Sequence, residues 1–597
     1  MRGVWRRPSR VYYGRRRPLP PSEGGPPHGA GTITATGVLT GHGTKHATGG
    51  GTITATGALQ GAGTKHATGA GSITATATLT GSGSGYVPGE AHFRFAIDWD
   101  GDGDFTGPGE DVTDQVLAKS GFSTEFGRDQ ARALSPPASG RATFTLNNIS
   151  RNYSPDNPAS PLADDLLPAR EVLSTVELDG VTRALFRGHL DDFEVKVEKN
   201  VREVDCVAFD PLAKLKDNKV STQLYAGIRT GEAINVILDA ADWPADLRDL
   251  DVGATVIRWW WEEGTDAWDA ILKLVNSEGP AAIVHADEDG RIVFRDRHHR
   301  ILDAGSTTSQ ATLTDGANGY EPAFSGITYN HGLKDIVNHV AISVDERDPS
   351  PEPETVWESA DLRNIGAGET LQLTVQTNEP VIDANVTFDI VTAGTATSTL
   401  LQTSGQALTL QITAPGSAIA IANIVVTAQP VAVRRTVQVQ QEDTASRDKY
   451  GQRSLPYEAP WAGVTDAEAI AQIIVGARSE RLPTVEILFS DSSNPLRMAQ
   501  QFGRDLSDRV HLTEAETGLD TDFFIEKIAH RVSGGGFVAT TFGCEKAAVQ
   551  PTGVFTFNDS ARGFNDGVFG SPGLDDPSNT FVFDQAGRGF NDGLFAT

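Results

Sequence analysis

The sequence predicts a mainly β, multidomain protein that contains a small α/β domain and an inserted β-sandwich. The chain has 597 residues, which is too long for a single hydrophobic core and corresponds to roughly three to five domains. Its 63 glycines and 31 prolines, with only 7% aromatic residues, are typical of many short strands joined by turns. Segments in which apolar and polar residues alternate recur along the chain, which is the pattern of half-buried strands.

Charge and cysteine content exclude several classes of protein. The formal net charge of −28 indicates a soluble protein that repels nucleic-acid phosphates, so specific nucleic-acid binding is not expected. Cys206 and Cys544 are the only cysteines, which excludes a disulfide framework and a multi-cysteine zinc site. The longest apolar stretch, 418–433, is too short and too polar to span a membrane, and no secretory signal is found at the N-terminus. We therefore expect no membrane span and assembly in a reducing cytoplasm.

The N-terminal region, 1–89, is predicted to be a basic and Gly/Thr-rich repeat arm. Seven arginines precede Glu23, and the units GTITATGVLTGHGTKHATGG (31–50) and GTITATGALQGAGTKHATGA (51–70) follow, with a third, shorter copy after them. Each unit alternates threonine with small apolar residues, as strands do, but has no large side chain with which to build a core. We expect a flexible arm, or a slim fibrous segment if copies from neighbouring subunits pack together.

Two domains are predicted next along the chain. The first, 90–224, opens with alternating apolar residues at Phe93, Phe95 and Ile97, and further alternating segments predict a β-barrel or a β-sandwich. The second, 225–309, is predicted to be a small α/β domain. Two helices with one apolar face each are followed there by two strands that flank an Asp-Gly turn.

An inserted Ig-like β-sandwich is predicted at 350–433, because this segment has at least four strand-like runs and no helix pattern. Helix and strand patterns resume after it, so 310–349 and 434–548 are expected to form one domain around the insertion. Within that domain, Thr465 and Glu468 are spaced as in a capping box and predict the start of an amphipathic helix.

The C-terminal region, 549–597, is predicted to form two aromatic hairpins. The motif RGFNDG occurs at 562–567 and again at 588–593, an offset of 26 residues, and phenylalanines flank both copies. Asn-Asp-Gly favours a tight turn between two strands. Two such units cannot bury all their phenylalanines alone, so we expect them to contact a partner or a neighbouring subunit.

One short segment has the composition of a calcium-binding loop. Four aspartates occupy alternate positions, Asp98, Asp100, Asp102 and Asp104. Alternating carboxylates can converge on a hard cation, and Gly103 at the sixth position permits a sharp turn. The position that holds a glutamate in an EF-hand is occupied by Gly109, and the preceding residues predict a strand. The two alternatives are a structural calcium site in a loop after a strand and a solvated Asp/Gly turn.

Residue patterns give no support for an enzyme. HExxH, Walker and GxSxG motifs are absent from the sequence, and its many acidic residues offer no basis for choosing a glycosidase pair. Trp259, Trp260 and Trp261 offer two interpretations, a platform on which a glycan stacks and packing between domains. Because consecutive strand residues point to opposite faces, we expect these tryptophans to pack between domains.

Two sets of motifs occur in order along the chain. The first set is GRD (127–129), GRATFTLNN (140–148), YSP (153–155), LPAR (167–170) and FRGHL (186–190). The second set is YG (450–451), FIEKIAH (524–530), GG (534–535) and TTF (540–542). Together they resemble the minor tail proteins, or baseplate (tail-tip) hub proteins, of long-tailed phages of actinobacteria. The resemblance covers 90–350 and 435–548 and leaves out the two repeat regions and the insertion.

The resemblance implies a hub with two related β-barrel domains per chain, 91–216 in one and 310–345 with 435–548 in the other. Three chains would form a pseudo-sixfold ring that joins a hexameric tail tube to a threefold tip, so a homotrimer is expected. The implied partners are the distal tail protein, the tape measure protein and other tail-tip proteins. The implied location is the tail tip of the virion, and the implied role is host attachment and genome delivery.

Two other functions stay open at the level of the sequence. One is a tail-associated hydrolase that cuts the cell wall or the capsule of the host. The other is an adhesin that binds a glycan on the host cell surface through the inserted sandwich or the C-terminal hairpins. The hub is structural, whereas these alternatives require a catalytic or a sugar-binding site.

Overall fold

The computed structural model describes strands of the N-terminal repeats between residues 33 and 75, and the chain from 91 to 547. Short gaps in the second part lie at 129–137, 179, 199–200, 317–321, 331, 333–335, 491–493 and 534–536. The arginine-rich N-terminus and the predicted C-terminal hairpins lie outside the described residues. Two compact units are present, Met1–Arg94 with Thr175–Arg183, and Phe95–Ser174 with Ala184–Thr597. The described residues contain 35 strands and eight α-helices, which confirms the predicted mainly β, multidomain class.

The N-terminal repeats contain seven short strands: β1 (Ile33–Thr36), β2 (Leu39–Thr40), β3 (Lys45–Thr48), β4 (Ile53–Thr56), β5 (Leu59–Gln60), β6 (Lys65–Thr68) and β7 (Ile73–Ala75). Equivalent strands of successive repeats pair in parallel, so that Ile33 lies opposite Ile53 and Ile53 opposite Ile73. Paired residues are therefore 20 positions apart in the sequence, which is the length of one repeat. This parallel pairing of successive copies within one chain is that of a solenoid.

The next group of elements comprises β8 (His92–Asp98), β9 (Phe122–Gly127), β10 (Ala138–Asn147), β11 (Glu171–Leu178), β12 (Val181–Glu198), β13 (Val201–Phe209) and the short helix α1 (Leu212–Leu215). Phe122 lies at the centre of its core. The ring centroid of Phe122 is 4.7 Å from that of Phe95, 5.7 Å from that of Phe144 and 6.4 Å from that of Phe186. The alternation seen in the sequence therefore brings one large side chain from each of four strands together.

The α/β region contains β14 (Lys219–Val220), β15 (Tyr225–Arg229), α2 (Thr230–Ala240), β16 (Arg248–Leu250), β17 (Val256–Trp260), β18 (Thr265–Asp266), α3 (Ala267–Glu278), β19 (Ile283–Ala286), β20 (Ile292–Arg295), α4 (His299–Leu302) and α5 (Ala304–Thr307). Both predicted helices and the predicted strand pair are confirmed. The helices α2 and α3 pack together through one apolar face each, with Ile234 and Ile271 fully buried. The Asp289-Gly290 turn joins β19 to β20, and Gly290 has a φ of +81°.

The next ten strands are β21 (Thr312–Thr314), β22 (Gly326–Asn330), β23 (His339–Pro349), β24 (Glu354–Ser359), β25 (Arg363–Ile365), β26 (Thr370–Gln376), β27 (Val381–Ile390), β28 (Thr397–Gln402), β29 (Ala407–Thr413) and β30 (Ile419–Glu442). A three-stranded sheet, β26-β29-β28, packs on the sheet that β24, β25 and β27 form with β30. Leu410 and Ile412 on one sheet and Ile421 and Ile424 on the other are buried between them.

Nearly all of the apolar stretch at 418–433 belongs to one long strand, which begins at Ile419. Strand β30 has 24 residues, and its first part pairs with the strands of the insertion. Its second part leaves the insertion and pairs with β23, from Val431 opposite Pro349 to Glu442 opposite His339. One continuous strand therefore connects the insertion to the surrounding domain.

The last described elements are α6 (Thr444–Tyr450), β31 (Ser454–Tyr457), α7 (Val464–Arg478), β32 (Thr484–Phe489), α8 (Pro495–Gln501), β33 (Arg509–Glu514), β34 (Leu519–Ser533) and β35 (Phe537–Lys546). The helix predicted from Thr465 and Glu468 is confirmed as α7, but its N-cap residue is Gly463, without a side-chain cap. Asp466 instead accepts a hydrogen bond from Arg297 at 2.7 Å. Among the described residues, no helix is both long enough and apolar enough to cross a membrane.

A large sheet connects strands from two distant parts of the chain. Its order includes β22-β32-β35-β34-β9-β10-β13-β12, and β33 pairs with β34 beside this path. Strands β9 and β34 are antiparallel, with Phe122 opposite Val532 and Gly127 opposite Lys527. We call this β9–β34 pairing the strand junction. Through it, strands from 122–209 and strands from 326–546 form one continuous hydrogen-bonded sheet.

We expect Gly127→Ala to lower the melting temperature of the full chain. A Cβ atom at Gly127 would lie 2.3 Å from the carbonyl oxygen of Glu526, and the φ of +107° is unfavourable for alanine. The backbone conformation costs about 1–2 kcal/mol, and the steric overlap costs about 1–3 kcal/mol more. The control is Gly518→Ala, because Gly518 also has a positive φ, +70°, but no described atom lies within 4 Å of the added Cβ. Equal shifts in calorimetry would contradict the close approach of the strands.

Candidate functional site

Three of the four aspartates predicted to bind calcium lie together, and a glutamate joins them. One carboxylate oxygen from each of four residues lies within 4.8 Å of the others: Asp98, Asp100, Asp102 and Glu110. We call these residues the carboxylate cluster. Asp104 does not belong to it; its carboxylate accepts hydrogen bonds from the backbone nitrogen and the hydroxyl of Thr106, at 2.7 and 2.8 Å.

The backbone places Glu110 beside the aspartates. Strand β8 ends at Asp98, and the chain returns along it, so that the nitrogen of Ile97 donates to the carbonyl of Glu110 and the nitrogen of Val112 donates to that of Phe95, each at 2.9 Å. These two hydrogen bonds hold Glu110, the residue that directly follows the Gly107–Gly109 turn, beside strand β8. The side chain of Glu110 therefore lies beneath the aspartate loop, and the residue is only 2% exposed.

The two oxygens of the Glu110 carboxylate have different surroundings. Oε2 accepts a hydrogen bond from the backbone nitrogen of Gly107 at 2.6 Å. Oε1 is buried and has no hydrogen-bond partner among the described residues. Burial raises the pKa of Glu110; the Gly107 hydrogen bond opposes this, and the charges of Asp100, Asp98 and Asp102 raise the pKa further. The cluster thus holds a buried oxygen acceptor surrounded by like charges.

The strand junction contains a second group of buried charges. The backbone nitrogen of Arg128 donates to the carbonyl of Glu526 at 2.8 Å, next to the Gly127 contact. Its guanidinium donates to the carbonyls of Pro280 and Ala282, both at 2.8 Å. Arg128 therefore ties the loop before β19 to the strand junction.

Glu526 supplies the negative charge at the strand junction. Its Oε1 lies 2.7 Å from the guanidinium of Arg300, and that guanidinium lies 4.7 Å from the ring centre of Phe524. Burial by itself would raise the pKa of Glu526, but the charges of Arg300 and Arg128 outweigh it and hold the pKa below its ordinary value. Glu526 is 3% exposed and Arg128 is 5% exposed, so the ionised groups have little access to water.

The sequence did not predict this pairing, although the motifs of the resemblance contain its members. Arg128 belongs to the GRD motif, and Glu526 belongs to FIEKIAH. Both residue types are usually exposed, so the available signal was the occurrence of Glu526 inside an alternating strand and of Arg128 directly after one. Their contact depends on strand pairing between distant parts of the chain, which residue periodicity does not specify.

Two of the three consecutive tryptophans, Trp260 and Trp261, make ring contacts with other elements of the fold. Trp260 is fully buried, with its ring centroid 5.7 Å from that of Tyr225. The ring centroid of Trp261 lies 5.5 Å from that of Trp461, and the guanidinium of Arg347 lies over the Trp461 ring at 4.8 Å. The rings of Trp260 and Trp261 therefore contribute to packing between secondary-structure elements.

These features define a mainly β, multidomain protein in which two groups of strands share one sheet and a carboxylate cluster follows strand β8. No protein-family model matches the chain, and no curated protein matches it either. Solved structures do match. The tail protein from Neisseria meningitidis MC58 is 11% identical, with 76% of this chain and 96% of that chain covered and a TM-score of 0.42.

Two further solved structures are similar to the chain. The 43 kDa tail protein of prophage MuSo2 from Shewanella oneidensis is 11% identical over 76% of this chain and 97% of that chain, with a TM-score of 0.40. A component of the type VI secretion system from E. coli, with structural similarity to the T4 bacteriophage tail proteins gp27 and gp5, is 8% identical. It covers 76% of this chain and 77% of its own, with a TM-score of 0.33. At such identities and TM-scores, the functional argument rests on the residues of this chain.

We expect Glu526→Gln to destabilise the protein, because it removes the ion-pair partner of the half-buried Arg300 and the negative charge close to the buried Arg128. Removing one partner of a buried ion pair costs about 3–5 kcal/mol. The control is Glu480→Gln, which removes an exposed ion pair with Lys449 and should leave the melting temperature nearly unchanged. Similar melting temperatures for both variants would show that the buried charges do not stabilise the strand junction.

The strand junction should also make stability depend on pH. His530 is buried, with its Nδ1 2.9 Å from the hydroxyl of Thr540, and burial lowers its pKa from 6.5 to about 4. The unfolded chain therefore binds a proton between pH 6.5 and 4 that the folded chain does not. Stability from this group is present above pH 6.5 and is lost as the pH falls towards 4, by up to about 1.4 kcal/mol per pH unit.

The variant His530→Gln should lose less stability over that pH range than the parent protein, as measured by urea unfolding at several pH values. The control is His511→Gln. Burial lowers the pKa of His511, but its hydrogen bonds to Asp522 and Asp520 outweigh burial and raise it, so its contribution is present at low pH and is lost as the pH rises. That change lies above pH 6.5, so His511→Gln should leave the loss between pH 6.5 and 4 nearly as large as in the parent protein. The same pH profile in all three proteins would contradict the buried neutral state of His530.

Proposed function

We propose that this chain is a structural protein of the tail tip of a long-tailed bacteriophage, where it forms a homotrimeric baseplate hub. The hub connects the tail tube to the distal tip and takes part in host attachment and genome delivery. Its work is mechanical rather than catalytic. Its partners are the distal tail protein, the tape measure protein and other tail-tip proteins.

The observation that carries the proposal is the strand junction. The motifs on which the sequence resemblance depends lie in two distant parts of the chain, yet Gly127, Arg128 and Glu526 contact one another where β9 pairs with β34. A hub with two β domains per chain needs a rigid connection between them, because three chains must present six similar units to a hexameric tube. One sheet shared by both groups of strands supports such a connection.

The composition of the chain is compatible with a channel through which DNA passes. A net charge of −28 opposes adhesion of the nucleic acid phosphates to the protein surface. The insertion, 350–433, is joined to the surrounding domain by one continuous strand, which suits a module displayed at the periphery of a ring. We assign contact with the host surface or with neighbouring tail proteins to this module and to the repeat regions.

Two measurements test the hub. The purified full chain should form particles of three times its 63.5 kDa mass in mass photometry. An epitope placed in the exposed turn between β27 and β28 should be found at the tail tip by electron microscopy of labelled virions. A matched phage with the same epitope on its major capsid protein controls for access of the antibody.

A strictly monomeric chain, together with infectious virions of normal tail structure that lack it, would overturn the hub. Label on the capsid or along the tail tube would contradict the position at the tip. Clearing of host cell walls by the purified protein, abolished by substitution of a carboxylate, would replace the structural function by a hydrolase.

A further inference from the structure

We propose that the carboxylate cluster binds one calcium ion, with Glu110 as the ligand that completes the site. This inference does not depend on the hub, because the cluster lies within one chain and its ligands come from residues 98–110 alone. It also changes the ligand set expected from the sequence, since Glu110 takes part and Asp104 does not.

The spacing of the four carboxylates fits a single calcium ion. Calcium binds oxygen at 2.3–2.6 Å, so two ligands on opposite sides of one ion are about 4.6–5.2 Å apart. The four carboxylate oxygens lie within 4.8 Å of one another. The mutual distances therefore match the size of one calcium site, which small side-chain rotations would complete.

The buried oxygen of Glu110 is the second, independent observation. A cluster of exposed acidic groups needs no ion, because water solvates each carboxylate. Glu110 differs from the exposed Asp100 and Asp102, because it is 2% exposed and its Oε1 accepts no hydrogen bond from the described residues. A buried carboxylate oxygen without a partner is costly, and three like charges beside it add to that cost. A divalent cation at this point supplies the missing partner.

The ligand types favour calcium over other metals. All four side chains offer oxygen, whereas zinc and copper sites usually include nitrogen or sulfur. Magnesium requires nearly ideal octahedral geometry and retains several waters, while calcium accepts six to eight oxygens in flexible arrangements. The aspartates provide the first, third and fifth positions of the loop, and Gly109 occupies the twelfth. Gly109 has a φ of +87°, and the residue after it, Glu110 at the thirteenth position, supplies the fourth carboxylate.

Arg170 is the alternative source of positive charge. Its Nη1 lies 2.3 Å from the position that a Cβ on Gly101 would occupy, so the guanidinium is close to the aspartate loop. Its Nε donates to the carbonyl of Asp165 at 3.0 Å, which holds part of the group away from the carboxylates. If Arg170 neutralises the cluster, the protein will not bind calcium, and the experiment below distinguishes the two cases.

Trp99 provides a local signal for the ion. It lies between two of the proposed ligands in sequence, is 1% exposed, and packs against Tyr153 and Phe193 with ring centroids 5.9 and 6.0 Å away. Terbium replaces calcium at oxygen sites and emits after energy transfer from a nearby indole. Excitation of tryptophan should therefore produce terbium emission from the full chain after treatment with EDTA, and added calcium should remove it. Calcium should also raise the melting temperature of the EDTA-treated protein.

Three variants identify the ligands. Glu110→Gln and Asp100→Asn should each weaken calcium binding at least tenfold in the terbium competition, because each removes a charged ligand. Asp104→Asn is the matched control, since it lies in the same loop outside the cluster, and it should retain affinity within about threefold. Asp100 is exposed, so its variant should fold even if Glu110→Gln does not. Magnesium at the same concentration should displace much less terbium than calcium does.

Each result either supports or overturns the site. Absence of terbium emission and of any calcium effect on melting in the parent protein would assign neutralisation of the cluster to Arg170. Binding that survives both Glu110→Gln and Asp100→Asn would place the ion elsewhere. A loss with Asp104→Asn as large as with Glu110→Gln would contradict the proposed ligand set. None of these results would affect the oligomeric state or the position of the chain in the virion, by which the hub is tested.

Discussion

The antiparallel pairing of β9 with β34 is the interaction on which the remainder of this architecture depends. Without it, the strands at 122–209 and those at 326–546 would form separate sheets. Gly127 permits the close approach, because any side chain there would meet the Glu526 carbonyl at 2.3 Å. Arg128 then extends the same contact to the α/β region through the carbonyls of Pro280 and Ala282. Three parts of the chain thus meet at two consecutive residues.

The strand junction buries charged side chains. Apolar side chains at the same positions would carry no desolvation penalty. The negative charge of Glu526 attracts the positive charges of Arg128 and Arg300. The cost of removing these charges from water cancels much of that attraction, so apolar side chains of similar shape could give equal stability. We infer that the ionic group adds geometric selectivity, because a register shift would move the buried Arg128 away from the Glu526 carbonyl and from its negative charge. A protein that must join its two groups of strands in one fixed orientation benefits from that penalty.

The carboxylate cluster shows how local and longer-range information combine in one site. The alternation of aspartates after β8 is visible in the sequence and correctly brings Asp98, Asp100 and Asp102 together. Glu110 belongs to the cluster because the chain returns alongside β8, where the backbone nitrogen of Ile97 donates a hydrogen bond to the carbonyl of Glu110. Asp104 lies outside the cluster, and its carboxylate accepts hydrogen bonds from the backbone nitrogen and the hydroxyl of Thr106. Spacing along the sequence could not predict that Glu110, and not Asp104, belongs to the cluster.

The sequence by itself determined the elements whose patterns are local. Helices α2, α3 and α7, the β19–β20 pair and the mainly β class follow from periodicity and turn residues, because those depend on neighbours within a few positions. Only the tertiary structure decided which strands pair. The junction of β9 with β34, the continuation of β30 into two sheets and the place of Glu110 all join distant residues. Alternation tells which face of a strand is buried but carries no information about its partner, and that choice is made by close backbone approach and buried charge.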